Sequence, residues 1–513
     1  MHRSTKWSAF AAVLAVAVFS VPAAIPLASA APGSAGPPAT VSTDDARAAD
    51  DHLDRLVREL HLPGITARVV DRDGTLWTGS RGQDGGGSDA ITPTTPFLIG
   101  SVAKSLTAIL VTRRLEAGRL GIDDPITDHL PWLRDADGVT VGELLTHTSG
   151  YTRNDGLAVA ERFDTAPGAI RRAAEALRHS GSRGPFEYSD ANYLVLGALV
   201  EADSGNSFAD VLRDELTEPL GMHRTSAASA EATDLPAGHR FWFGHPRVYD
   251  PGFDDSGAPF GYVTSTLDDL TAYVRALYGS APAVVSTSVV DSVTTPHVRG
   301  GTADYGYGWR IHPPDSDGLT VVDHTGATPG YFAHVLMRSD GRSAVVLADA
   351  YGESVAPTLA DTAQQLLMAF DGGRPTLADG DTMLGALPWA LSVLAGLGLV
   401  VAVLAVRRPR RVALRIAVLI GVVLVIVAVR LAPALLGVGG SQVRIWLPDS
   451  ALALDVATWT WILAGVVLIV GGFVGHRRHR TPTGSTVVTD QAAARGPAVG
   501  DPADAVPGSG STA

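Results

Sequence analysis

Cysteine is absent from all 513 residues, which excludes disulfides, thiolate zinc sites and a lipid-modified N-terminal cysteine. Lysine is almost absent too: it occurs only at Lys6 and Lys104, and arginine takes every other strongly cationic position. No G-x-S-x-G occurs, so a serine presented on a strained strand-to-helix elbow is not supported. There is no internal repeat. Positive charge is short overall, with 40 Lys+Arg against 53 Asp+Glu and a formal net charge of -13. The acidic excess lies between Ala31 and Met383, which argues against nucleic acid or another anionic polymer as a partner.

What is there organises itself around the second lysine. Arginine does the ordinary cationic work in this chain, so a lone lysine points to a task arginine cannot perform. A guanidinium stays protonated, whereas a desolvated lysine amine can shed its proton and act as a base. Lys104 lies in Phe97-Leu98-Ile99-Gly100-Ser101-Val102-Ala103-Lys104, ahead of Val102, Leu106, Ile109, Leu110 and Leu115 at helical spacing. That pattern predicts an amphipathic helix ending near Gly118. Residues three apart on a helix are neighbours, with Cβ atoms about 5–6 Å apart, so Ser101 would sit beside the Lys104 amine. A helix N-terminus also offers free N–H groups and a partial positive charge to a developing oxyanion. Nucleophile, base and anion site together are what acyl transfer to serine needs. The alternative is a capping serine beside a solvated lysine.

The two ends of the chain read as export and anchoring signals. In residues 1–30, His2, Arg3 and Lys6 precede an apolar run and the small-x-small site Ala28-Ser29-Ala30, the pattern of a secretory signal peptide. An uncleaved anchor is the other reading, and both export the body. Residues 31–45 read as a flexible segment. Residues 383–406, 412–430 and 456–475 are each near the ~20 apolar residues that cross a bilayer. Arginine clusters at Arg407–Arg411 and Arg477–Arg480 assign both flanks to the cytoplasm, leaving the body outside and residues 481–513 as a polar cytoplasmic tail. Residues 372–382 form the linker.

Between these ends, residues 46–371 read as one domain. Helical patterns fall at Thr43–Leu60, Ala169–Arg178, Tyr193–Ala202, Phe208–Glu215, Leu267–Leu277 and Ser354–Phe370. Strand patterns fall at Ile65–Val70, Thr75–Gly79, Thr320–Asp323, Phe332–Arg338 and Ser343–Leu347. Strands towards both ends with a helical middle predict an α+β fold, a sheet packed with terminal helices and an inserted helical lobe.

Two more stretches carry chemistry. In Phe186-Glu187-Tyr188-Ser189-Asp190-Ala191-Asn192-Tyr193 a tyrosine precedes a helix, and its hydroxyl can relay a proton. In His324-Thr325-Gly326-Ala327 the glycine permits close backbone approach and Thr325 can bond a carboxylate or carbonyl; alone, the stretch reads as a turn. His147, in Thr146-His147-Thr148, reads as structural.

Taken in chain order, Ser101-Val102-Ala103-Lys104, Tyr188-Ser189-Asp190 and His324-Thr325-Gly326 resemble the three motifs of serine penicillin-recognising enzymes, specifically class C β-lactamase and D-alanyl-D-alanine peptidase-like serine hydrolases. Leu144–Gly150, Gly261–Leu270 and Tyr305–Trp309 look like that family's supporting segments. The resemblance implies a mainly antiparallel sheet flanked by helices with a helical lobe, followed here by three transmembrane helices. It implies Ser101 as acylated nucleophile, Lys104 and Tyr188 sharing proton transfers, and an oxyanion hole from the N–H groups of Ser101 and Ala327. It places Asp190, His324 and Thr325 against substrate, and calls for no cofactor or metal. Two departures stand out. Asp190 occupies a place usually held by asparagine, and a carboxylate cannot donate to a substrate carbonyl as an amide does. His324 replaces the usual lysine, as in many esterase and peptidase-like members, and is cationic only below about pH 6.5. Both weigh against efficient β-lactam hydrolysis.

The expected function is a membrane-anchored extracytoplasmic serine hydrolase acting on an ester or amide of the cell envelope, such as a D-alanyl peptide. Its expected partners are that substrate and the lipid bilayer, with no nucleic acid; oligomeric state stays open. The rivals are a non-catalytic sensor of peptidoglycan or β-lactams, and a transporter carrying a passenger domain.

Overall fold

The computed structural model describes residues 42–478, apart from 86, 88, 408–411 and 436–438. The expected signal peptide, most of the segment up to residue 45, the first arginine cluster beyond Arg407 and the cytoplasmic tail lie outside the described residues.

Helix α1 (Thr43–Leu60) starts where Ser42 accepts a hydrogen bond from the Asp45 N–H, with Asp44 and Asp45 facing the positive end of the helix dipole. Its Ala49, Leu53 and Leu56 are buried, and each leucine contributes roughly 1.5–3 kcal/mol. Strands β1 (Gly64–Val70) and β2 (Thr75–Gly82) form the expected hairpin. Helix α2 (Ala103–Glu116) follows a single turn, Gly100–Val102, that holds Ser101. The expected amphipathic pattern is corrected here: every residue from Ala103 to Thr112 is buried. The helix runs through the core between sheet and helical lobe, so it has no solvated face.

The lobe contains α3 (Arg153–Val159) and α4 (Asp190–Ser204). Then come β3 (Gly238–Trp242) and β4 (His245–Tyr249), a hairpin not expected from the sequence, and α5 (Leu267–Leu277). Short strands β5 (Val298–Arg299), β6 (Asp304–Tyr305) and β7 (Arg310–His312) lead into the long β8 (Val321–Thr328), β9 (Tyr331–Arg338) and β10 (Ser343–Ala348). Strand β11 (Ala350–Tyr351) and helix α6 (Ala356–Phe370) close the body. The main sheet is antiparallel throughout, in the order β2-β1-β10-β9-β8-β7-β6-β5.

Side chains alternate across a strand, so the central strands serve two cores. Ala333, Val335, Met337, Val345 and Leu347 face the core shared with α2, α4 and α5. Phe332, Leu336, Ala344, Val346 and Ala348 face the core under α1 and α6.

One strand boundary is a correction with consequences. The sequence reading ends a strand at Asp323 and makes a turn of His324–Ala327. In the fold β8 continues to Thr328, paired residue for residue with β9 from Val321 opposite Arg338 to Thr328 opposite Tyr331. The turn comes later, at Gly330, whose φ of 107° suits glycine.

Beyond the body, three helices are long and apolar enough to cross a bilayer: α7 (Thr382–Arg407), α8 (Val412–Leu435) and α10 (Pro448–Arg478). A short α9 (Gly440–Trp446) connects the last two. Helix α10 begins at Pro448, ahead of the expected Val456. Asp455, inside it, pairs with Arg430 at 3.2 Å and Arg444 at 3.6 Å.

Candidate active site

The nucleophile turn is fitted against β8 by two glycines. A β-carbon on Gly100 would lie 2.3 Å from the Ala327 nitrogen, and one on Gly326 would lie 1.9 Å from the Ile99 carbonyl oxygen and 3.0 Å from the Ser101 nitrogen. Both positions therefore need glycine, and Gly100 also has φ 52°. Strand β7 pairs with β8 only through Val321–Asp323, so the edge from His324 onward meets the Ser101 turn instead of another strand. The Ser101 and Ala327 amides are thereby neighbours across a narrow gap.

Lys104 is wholly buried. Its ammonium donates to Ser101 Oγ at 2.9 Å and to the Phe260 carbonyl at 2.8 Å, and lies 2.7 Å from Asp190 Oδ1. Three donors meet three acceptors, so the group is saturated. Burial by itself lowers the amine pKa, but the Asp190 carboxylate and then Tyr188 outweigh it and hold the group above its ordinary value. The expectation of a desolvated amine that has shed its proton is thus corrected for the resting site. Lys104 there is an ammonium, because Asp190 stands where the motif usually has a neutral amide.

Tyr188 lies over that cation, its ring centroid 5.0 Å from Lys104 Nζ, within range of a cation–π contact. Its shielded hydroxyl is near enough to the Lys104 ammonium to help raise that amine, yet meets no partner in good hydrogen-bond geometry among the described residues. The ring is backed by His147 at 4.5 Å, with Tyr305 at 6.2 Å and His324 at 6.1 Å. His147 Nδ1 accepts from the Ser189 N–H at 3.2 Å and faces Asn192 Nδ2 at 3.0 Å, which leaves Nε2 to carry the proton towards the Tyr305 hydroxyl at 3.3 Å. Burial, then Lys104 and His324, keep this ring well below the usual histidine pKa. His147 thus packs behind the Tyr188 ring and bonds the backbone next to it. Asn192 turns to His147 and Ser149, away from Lys104.

His324 is 3% exposed. Its Nδ1–H donates to the Thr325 carbonyl at 2.7 Å, and Nε2 has no partner among the described residues. Burial first, then Arg310 and Lys104, push its pKa down to about 3. The expected cation below about pH 6.5 is therefore corrected: the ring is neutral throughout the physiological range. Thr325 and Ala327 are the partly exposed residues of this stretch.

Sequence reasoning missed the anchor beneath His324. Asp323 pairs with Arg310 on β7, accepts from or meets His312 at 2.8 Å, and meets His334 on β9 at 2.9 Å. Burial raises this carboxyl, but Arg310 and the two imidazoles hold it well below the usual carboxylate range. It missed the Phe260 carbonyl as well, since a backbone acceptor leaves no mark in side-chain identity. No group of three or more His, Asp or Glu side chains suited to a metal occurs among the described residues.

A serine on the turn before a buried helix, a lysine one turn on, a tyrosine above them and an open strand edge alongside define a serine hydrolase of the β-lactamase and transpeptidase fold. The chain belongs to the beta-lactamase family, whose model matches residues 49–367. It is 30% identical over 307 residues to penicillin-binding protein 4 of Amycolatopsis lactamdurans, covering 56% of this chain and 80% of that protein. It is 29% identical over 306 residues to esterase EstB of Burkholderia gladioli, covering 51% and 76%. Among solved structures, the octameric penicillin-binding protein homologue from Pyrococcus abyssi superposes with TM-score 0.55 at 23% identity, over 64% of this chain and 77% of that one. A class C beta-lactamase does so with TM-score 0.54 at 19% identity, over 63% and 95%. These two likenesses are of fold.

Proposed function

We propose that this is a membrane-tethered, extracytoplasmic serine hydrolase that forms an acyl-enzyme on Ser101 from an ester or amide of the cell envelope, D-alanyl peptides and esters included. The observation that carries it is the saturated Lys104 ammonium on Ser101 Oγ. Relatives named for penicillin binding, esterase activity and teichoic acid D-alanine hydrolysis support the substrate range.

Substrate entry displaces water from the cleft and favours a neutral pair over separated charges, so the Lys104 proton crosses 2.7 Å to Asp190 Oδ1. The freed amine takes the Ser101 proton as Oγ bonds to the carbonyl carbon, and the N–H groups of Ser101 and Ala327 bind the oxyanion. Tyr188 gives its hydroxyl proton to the departing alcohol or amine and recovers one from Lys104. Asp190, now protonated, donates where the usual amide would. Thr325 is the remaining group for the substrate, and His324 serves as a neutral wall. Water reverses the sequence to release the acid.

A fluorophosphonate probe is expected to label the full-length protein at Ser101, and Ser101→Ala is expected to lose the label. A folded parent without label overturns this reading. Without a cation at His324, turnover of a chromogenic cephalosporin is expected to fall ~100-fold or more below that of p-nitrophenyl acetate, since an unpaired carboxylate in a buried site is heavily disfavoured. Comparable rates in one stopped assay would count against the neutral wall.

For the chain as a whole, we assign residues 46–371 to the hydrolase, 372–382 to the linker and α7, α8 and α10 to the membrane. The N-terminus of α7, the C-terminus of α8 and the N-terminus of α10 would share the outer face, where the body sits.

A further inference from the structure

The segment between the second and third apolar helices is not a free loop. On the lobe side, Gln442 Nε2 donates to the Leu157 carbonyl of α3 at 2.8 Å, and its Oε1 accepts from Trp446 Nε1 at 3.1 Å. On the sheet side, Arg240 of β3 donates to the carbonyls of Arg444 and Ile445 at 3.0 and 2.9 Å, and the Trp446 indole meets Tyr351 of β11 edge-on at 5.7 Å. The Phe243 N–H donates to Asp449 at 2.9 Å. Helix α9 therefore spans both lobes that enclose the cleft.

Each anchorage leads inward to a motif. Gly156 of α3 is packed so tightly under the second motif that a β-carbon there would lie 2.7 Å from the Asp190 nitrogen and 2.8 Å from Ser189 Oγ. On the other side, the His239 N–H of β3 donates to the Gly330 carbonyl, in the turn that ends β8. Between them runs Glu161–Asp164, with Glu161 and Phe163 both left-handed at φ 53° and 52°, a conformation that costs a non-glycine residue free energy. Asp254 holds this loop by accepting from the N–H groups of Arg162 and Asp164, and Phe163 packs on Tyr262 at 6.2 Å. Tyr262 is close along the chain to Phe260, whose carbonyl holds Lys104. Glu161 itself lies against Gln442 and Trp446 of α9, near enough to Asp190 to feel its charge, and one of its carboxyl oxygens is buried without a partner among the described residues.

We propose that α9 is a working part of the catalytic cleft: Gln442 and Trp446 seat Glu161 as a positioning residue behind Asp190, so the Lys104–Asp190 pair keeps its geometry only with the membrane segment docked. This rests on the hydrolase reading given above. Strain is retained at Glu161 because the contact needs a carboxyl there. Burial first, then Asp190 and Asp254, raise that carboxyl to about 8, so it is uncharged at neutral pH and sets no second negative charge beside Asp190. The other titratable groups facing it are Tyr249 and Tyr262, both raised chiefly by burial. A carboxyl raised above its unfolded value supports the docked state fully only below the ordinary carboxylate range, and that support drains away as pH rises from there through about 8.

The test measures the rate of Ser101 labelling by the fluorophosphonate across pH, on full-length protein in phospholipid nanodiscs. In the parent, labelling is expected to fall above about pH 8 relative to its own neutral value, and Glu161→Gln is expected to keep ~5-fold or more of what the parent loses there. Gln442→Ala removes a hydrogen bond that holds the carboxyl down but also wets it, relieving part of the larger burial effect, and the net result is expected to shift the parent's alkaline limb down by about half a pH unit or more without changing the amount of folded protein. Superimposable profiles for the parent and Glu161→Gln would overturn the role of Glu161. An unmoved limb in Gln442→Ala would overturn the part given to α9. Absence of label in the folded parent at every pH would instead bring down the hydrolase reading, and this inference with it.

Discussion

Lys104→Arg is expected to abolish acylation of Ser101, lowering the labelling rate by ~1,000-fold or more, a barrier increase of about 4 kcal/mol. The charge on Asp190 stays matched in this variant, so what is lost is the ability to give up a proton. The site leaves little choice of geometry either. Three acceptors lie within 2.7–2.9 Å of one nitrogen with no solvent exposure, which fits a compact ammonium and not a planar fork. Overpacking is expected to cost about 1–3 kcal/mol, visible as a lowered midpoint of thermal unfolding in a chain that still folds. Should that cost unfold the body, Lys104→Gln removes the transferable proton without the extra volume, at the cost of leaving Asp190 without its cation. A folded variant that labels within tenfold of the parent rules out proton transfer through this residue.

The Ser101–Lys104 relation was legible because it is local: three residues along one helical turn fix the approach whatever the rest of the fold does. The α1 helix and the β1–β2 and β9–β10 hairpins were legible for the same reason, with caps, turn residues and apolar spacing written in contiguous sequence. The protonation state of Lys104 was not, because it depends on Asp190, which reaches the amine only through tertiary packing. Nor was the length of β8. His324-Thr325-Gly326 has turn composition, and only full pairing with β9 keeps it extended. The all-round burial of α2 was hidden because its apolar stripe is filled out by Ser105 and Thr107, small polar residues that bury readily once bonded, as Ser105 does to the Val102 carbonyl and Thr107 to the Pro259 carbonyl. The β3–β4 hairpin was obscured by Pro246, and its outer strand is largely exposed, which blurs alternation. Helix α9 is too short for periodicity to register.

Asp190→Asn is expected to separate stability from activity along the pH axis. Asp190 lies 2.7 Å from a wholly buried ammonium, and breaking such a pair by removing one partner ordinarily costs about 3–5 kcal/mol. Lysine has an escape, since it can deprotonate, and at neutral pH that costs about 4.6 kcal/mol from an unperturbed value near 10.4. The two costs are comparable, so the variant is expected to lose several kcal/mol at pH 7, with the loss shrinking by about 1.4 kcal/mol for each unit of rising pH until the amine is neutral. The sign agrees with the parent. Lys104 is raised there, net of its burial, by Asp190, so the pair's stabilisation is complete below the unfolded lysine pKa and disappears only as pH passes the folded value. Acylation is expected to run the other way. In the proposed mechanism Asp190 stores the proton of the parent's Lys104, so no alkaline conditions are needed to free the amine. The variant lacks that store, so its labelling rate is expected to be ~100-fold lower at neutral pH and to climb about tenfold per unit towards the lysine's own titration. Chemical denaturation and probe labelling over the same pH series measure both slopes. A variant whose rate is flat with pH would show that Lys104 never gives its proton to Asp190, and would leave Tyr188 as the group that deprotonates the serine.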